Sequence, residues 1–121
     1  TMSSAFKRKY DFQLRRDEST KILNKYPSRI PIIIERSRKC SLNDINKTKF
    51  LVPDTLTVGQ FLMIIRSRIV LENEESLFIF INDSVLPATS QVLSTIYHEH
   101  KDEDGFLYLS YCSENTFGNN I

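Results

Sequence analysis

At 121 residues, with 40% apolar side chains and only three glycines and four prolines, the chain is sized for one domain with its own core, which excludes a disordered or collagen-like polymer. Its formal net charge is +1, yet residues 1–50 hold 13 of the 16 basic side chains and 5 of the 15 acidic ones, leaving +8 there and −7 in the remainder. That asymmetry suits a basic face turned toward lipid head groups, nucleic acid or acidic peptides, and it suits an ordinary solvated helix equally well.

In chain order, Ala5–Tyr10 reads as one short basic turn. Asp11 is placed to cap a helix running to Lys25, with Leu14, Ile22 and Leu23 as its sparse apolar positions and Tyr26-Pro27 as its stop. Arg29–Arg36 is a β-branched run that reads as a strand buried on both faces. Pro31 cannot donate to a ladder, so its side of that strand is expected to be partly unpaired, leaving an edge available. Lys49–Val52 is a second strand ended by Pro53.

Thr57 and Gln60 have capping-box spacing, and Val58, Phe61, Ile65 and Ile69 continue as a helical stripe. Leu77–Ile81 reads as a strand closed by the turn residues Asn82-Asp83. Ser90 is expected to cap a helix carrying Val92, Leu93, Ile96 and Tyr97. Asp104-Gly105 makes a turn before a last strand, Phe106–Tyr111, and a polar tail follows Cys112.

The order predicts an α+β fold: a β-grasp with two additional N-terminal helices. The expected organisation is a helical extension at 1–28 packed on a body at 29–112, then a flexible tail at 113–121. The longest apolar runs, Ile30–Ile34 and Phe61–Ile65, fall far short of the ~18 residues that span a bilayer. No secretory h-region precedes the first helix, so Cys40 and Cys112 are expected to be reduced thiols in a cytoplasmic protein.

Several blocks are similar to one family. Lys25–Pro31, Lys49–Phe61, Phe78–Asn82, Tyr97–His100, Asp102–Tyr108 and the end Glu114-Asn-Thr-Phe-Gly118 resemble the autophagy modifiers that include GABARAP and microtubule-associated protein light chain three. The resemblance runs from about Phe6 to the tail. It implies a ubiquitin-like fold and cleavage after Gly118 by a dedicated cysteine protease. Activating and conjugating enzymes would then carry the freed carboxylate as a thioester to phosphatidylethanolamine. The localisation it implies is cytoplasmic, becoming autophagosomal after lipidation.

The resemblance also implies that cargo receptors dock through short motifs with an aromatic residue, two spacers and an aliphatic residue. By that resemblance the aromatic pocket maps to Glu18, Ile22, Pro31, Ile33, Lys49, Leu51 and Phe106. The aliphatic pocket maps to Phe50, Val52, Pro53, Leu56, Phe61 and Ile64. Arg29, Lys47, Lys49 and Arg68 would meet acidic residues flanking the motif, chiefly speeding encounter. Alternation along a strand explains the split, since Phe50 and Val52 point opposite to Leu51. Two shallow pockets imply micromolar affinity, roughly −8 kcal/mol.

Gly118 suits conjugation because a residue without Cβ permits close approach in narrow enzyme clefts. His98-Glu99-His100 invites a metal reading, but residues two apart on a helix diverge by about 200° and do not converge on one ion. No Gly-rich phosphate loop, nucleophile elbow or Cys/His dyad is visible, so neither catalytic residues, a metal nor a cofactor is expected. The chain departs from the family at Asn82–Pro87, one residue longer than usual, and at Phe50, where Tyr is common. Two other functions stay open on the residues alone. One is an unconjugated β-grasp module binding peptides in trafficking. The other is a basic nucleic-acid or cytoskeleton binder, disfavoured because no aromatic-interleaved basic platform is present.

Overall fold

The β-branched run Arg29–Arg36 forms β1, buried at five consecutive residues because both of its faces are covered. The computed structural model describes residues 4–38, 40, 42, 44–69, 71 and 76–113. Four strands make one sheet in the order β2-β1-β4-β3, with β2 at Lys49–Pro53, β3 at Phe78–Ile81 and β4 at Leu107–Cys112. The β1–β2 and β3–β4 pairs are antiparallel, whereas the central β1–β4 pair is parallel. This mixed sheet with packed helices is the ubiquitin-like β-grasp, preceded by α1 (Ala5–Lys9) and α2 (Phe12–Lys25).

One face of the sheet carries Ile30, Ile32 and Ile34 of β1 with Phe50 and Val52 of β2. Against it lie Val58, Phe61 and Ile65 of α3 (Val58–Arg66) and Leu93, Ile96 and Tyr97 of α4 (Leu93–His100). The opposite face gathers Ile33, Phe106 and Tyr108 under Phe6 of α1, with Ile22 of α2 alongside. Asp11 caps α2 by accepting from the Leu14 N–H, and Thr57 and Gln60 close their capping box at α3.

Some boundaries move, for physical reasons. The first short helix, expected over Ala5–Tyr10, ends at Lys9 with Tyr10 as its C-cap, and it is anchored by Phe6 and by the Ser4 side chain accepting from the Lys7 N–H. Helix α3 stops at Arg66, but i→i+3 turns after it still bring Ile69 into the core. Ser90 does not cap α4. Val92 is extended and bridges Thr57, while the Val58 N–H bonds the Gln91 carbonyl, so the helix begins only at Leu93. The last strand starts at Leu107, one residue late.

The Pro31 expectation needs a correction. The Ile34 N–H donates to the Thr48 carbonyl, so by alternation the even-numbered residues of β1 face β2 and the Pro31 nitrogen faces β4. Pairing with β4 begins only at Ile32, so the missing donor costs nothing there. Strand β1 is nevertheless interior, and the sheet's edges are β2 and β3.

Three tyrosines in and beside the core provide a test of this packing. Burial pushes the phenols of Tyr97 and Tyr108 up, aided at Tyr108 by the Asp104 carboxylate, and burial pushes Tyr111 up to about 12. A folded-state pKa above the ordinary 10 contributes stability that is whole below pH 10 and is lost as pH rises toward the folded value. In an absorbance titration these phenolates should therefore appear late and together with unfolding. Gradual ionisation of all five tyrosines near pH 10 with the fold intact would contradict the packing.

Candidate functional site

The same alternation that orients β1 also orients β2. Since Thr48 bonds inward to Ile34, and Phe50 and Val52 sit opposite Ile32 and Ile30, these even positions direct their backbone groups at β1. Lys49 and Leu51 therefore turn their N–H and C=O groups outward, along an edge that no further strand of the sheet covers. At one of them the Arg29 guanidinium donates to the Leu51 carbonyl at 3.3 Å. An extended peptide would find here the donors and acceptors of a partner strand.

Side chains of β2 divide between the two faces. On the α2 side, Lys49 pairs with Glu18 and its ammonium lies 5.7 Å from the Phe6 ring centre. Leu51 is half-buried beside Pro31. Ile33 and Phe106, both fully buried, floor this region with Phe6 and Tyr108, and Ile22 packs against them. All seven residues assigned to the aromatic pocket thus lie around the α2–β2 junction.

On the α3 side, the Phe50 and Phe61 rings meet edge to face at 5.6 Å above Val52. These three are closed into the core, whereas Pro53 and Ile64 are exposed and Leu56 is half-buried. The aliphatic set is therefore a buried floor with an accessible rim. Met63 stands next to Ile64 and is the most exposed large apolar residue described, at 73%.

The four cations assigned to acidic flanks do not form one cluster. The Lys47 ammonium and Arg68 guanidinium lie 4.9 and 5.4 Å from the Phe50 ring centre, within cation–π range. Lys49 is on the other face, and Arg29 sits at the Pro53 end of the strand pair. A ligand lying along β2 would thus pass positive charge at both ends.

Sequence reasoning missed Phe6 and Tyr108. Tyr108 was signalled by alternation with Phe106, and Phe6 only by Tyr10 four residues on, whose ring it meets at 5.1 Å, within an otherwise basic stretch. A cavity of about 890 Å³ is lined by α1 and by Glu35, Arg36, Asp83, Ser110 and the floor residue Tyr108. Of its four basic side chains, Lys7 pairs with Asp102 and Arg36 with Asp44. Partial burial opposes ionisation of Asp102, but the Lys7 ammonium and Asp104 N–H outweigh it and hold its carboxyl below the usual range.

His98 and His100 lie on α4, and among the described residues no group of three or more His, Cys, Asp or Glu is arranged to hold a metal ion. Among those residues no helix is long and apolar enough to cross a membrane. Cys40 and Cys112 are buried in a small cluster with Phe80 and are not joined in a disulfide. Gly118 and Asn119–Ile121 lie outside the described residues.

Comparison with known proteins bears on this arrangement as a whole. Residues 14–118 match the family described as "Autophagy protein Atg8 ubiquitin like". Autophagy-related protein 8 of Kluyveromyces lactis is 55% identical over 117 residues, covering 97% of this chain and 94% of that protein. Autophagy-related protein 8d of Arabidopsis thaliana is 51% identical over 115 residues, covering 95% of each. The crystal structure of Trypanosoma brucei ATG8 superposes with a TM-score of 0.87 at 43% identity, covering 97% of this chain and all of that one. With the match extending through both extra helices and the whole sheet, the chain belongs to the Atg8 family of ubiquitin-like autophagy proteins.

Proposed function

We propose that the chain is a conjugated modifier and adaptor, cut after Gly118, joined to phosphatidylethanolamine, and then docking cargo receptors along β2. The observation that supports it most is the outward edge of Lys49 and Leu51, set between apolar clusters on opposite faces of one strand. A motif with side chains two spacers apart spans such an edge, adding main-chain hydrogen bonds while its aromatic and aliphatic anchors reach either side.

Conjugation proceeds by successive exchanges at the Gly118 carbonyl. Water cleaves the Gly118–Asn119 bond, leaving a carboxylate on Gly118 and an amine on Asn119 of the released segment. An activating enzyme joins that carboxylate to the nucleotidyl group of a nucleoside triphosphate with loss of pyrophosphate. Its thiol displaces the nucleoside monophosphate to give a thioester, and a conjugating enzyme's thiol then takes over the acyl group. The phosphatidylethanolamine amine then displaces the thiol and forms an amide. The chain contributes no catalytic group to any of these steps; it is their substrate. A single acyl chain anchors marginally, at ~0.8 kcal/mol per buried CH₂, whereas a diacyl lipid supplies two chains and holds the domain on the autophagosomal membrane.

Intact mass after incubation with the family's cysteine protease tests the first step. The expected product lacks Asn119, Asn120 and Ile121, and Gly118→Ala should leave cytoplasmic protein that never becomes membrane-bound. An unchanged wild-type mass, with a protease batch that cuts a relative's precursor, would sink the proposal.

A further inference from the structure

Helix α2 carries two walls of the aromatic pocket, Glu18 and Ile22, yet it is poorly equipped to hold itself in place. Its only buried residues are Arg15 and Ser19, both polar, while Leu14 is 57% exposed. What seats it is a set of polar bonds to the turn before β4. Arg15 Nε lies 2.7 Å from Asp104 Oδ2, and the Ser19 hydroxyl donates to the Asp104 carbonyl. Arg16 reaches the Glu103 carbonyl at 2.8 Å.

The carboxylate at the centre of this set also faces the other way. Asp104 is fully buried, accepts the Tyr108 hydroxyl at 2.5 Å on Oδ2, and accepts the Phe106 N–H at 2.9 Å on Oδ1. Phe106 and Tyr108 belong to the apolar floor that Ile22 touches. One buried side chain thus ties the wall-bearing helix to the floor.

A second observation comes from Gly105. A Cβ built there would overlap the Ser19 side chain, so α2 is seated against bare backbone at a residue whose φ of +93° itself favours glycine. Ser19 adjoins Glu18 and precedes Ile22 by less than one turn. Contact at Ser19 therefore sets the height of both walls.

Buried ion pairs contribute little net stability compared with apolar replacements; their attested use is to fix register. A helix held by apolar contacts alone can slide or rotate at small cost, but one held by a guanidinium on a buried carboxylate has a single seat. We propose that Arg15, Asp104 and Tyr108 form a positioning lock that sets the aromatic pocket's width, and so its preference for an aromatic over an aliphatic first anchor. This rests on the peptide-docking reading above. The three residues touch no ligand; they act through Glu18 and Ile22.

The test compares Asp104→Asn, Arg15→Lys and Tyr108→Phe in the full-length chain. Two synthetic peptides serve as probes, differing only in Trp or Leu at the first anchor, with Leu at the second. The wild type should prefer the Trp peptide, and each variant should lose about tenfold of that preference while its affinity for the Leu peptide moves less than about twofold. Tyr108→Phe retains the ring, so it decides the matter if Asp104→Asn fails to fold. A folded variant with the wild-type preference, or one losing both peptides equally, overturns the lock.

A readout without peptide separates this proposal from the docking reading. In Asp104→Asn and Tyr108→Phe the methyl resonances of Ile22 and Ile33 should shift while those of Ile65 and Ile96, on the far face, stay in place. Stationary Ile22 and Ile33 signals would refute the lock even if the wild type bound both peptides. A wild type that bound neither would refute the docking reading alone.

Discussion

Phe61→Ala is expected to lower the unfolding free energy by about 3–5 kcal/mol, the range for removing a buried aromatic ring from a packed core. Phe61 has no exposed surface, meets Phe50 edge to face at 5.6 Å, and anchors α3 to the sheet. The loss combines the ring's transfer free energy with a cavity that β2 and α3 have little freedom to close. Val52 and Ile65 sit in the same cluster and are themselves buried. A domain of this size holds only ~5–15 kcal/mol in reserve, so the variant should melt far earlier yet still fold in the cold. Urea denaturation provides the measurement. The midpoint should fall with an unchanged slope, because the surface exposed on unfolding is nearly the same. A loss below about 1 kcal/mol would mean that α3 does not pack on β2 as described.

The same ring shows how much of this region's packing is legible in the sequence. Phe61 is marked by helical period and Phe50 by strand alternation, and each mark is local. That both close into a floor, leaving Pro53, Leu56 and Ile64 as the accessible rim, depends on their meeting across the fold. Capping behaved likewise. Asp11 and Thr57 announce their helices because the bonds they make span three residues. Ser90 carries an equally good local signal and fails, since Val92 is already committed to a bridge with Thr57, 35 positions earlier in the chain.

Distance along the chain sets the limit in the polar network too. Arg15 reads as one more charge on a solvated helix, and Asp104 as a turn residue before glycine. Their bond crosses 89 residues and buries both. Three of the thirteen cations in the first fifty residues are used in such contacts: Lys7 on Asp102, Arg15 on Asp104, and Arg16 on the Glu103 carbonyl. The charge asymmetry that suggested an acidic partner is therefore in part an instruction for docking the N-terminal helices on the chain's own acidic turn.

Leu51→Pro should weaken an aromatic-x-x-aliphatic peptide by about a hundredfold while leaving the sheet intact. Two losses combine. The apolar side chain leaves the pocket wall, and the outward N–H that a docked strand would use disappears, each loss amounting to roughly 1–1.5 kcal/mol. Leu51→Ala removes only the first and should cost about tenfold, so the difference between the two variants isolates the main-chain donor.

Parity makes the experiment decisive. Proline is tolerated on an edge strand when its nitrogen faces away from the ladder, as at residue 51, but not one step along, where the Val52 N–H points at β1. Val52→Pro should therefore unfold or strongly destabilise the domain, by about 3 kcal/mol or more, whereas Leu51→Pro should match Leu51→Ala in stability. If the two proline variants were equally destabilised, the inward and outward assignment of β2 would be wrong. If Leu51→Pro folded and bound as Leu51→Ala does, the peptide would be held by its side chains alone, without joining the sheet.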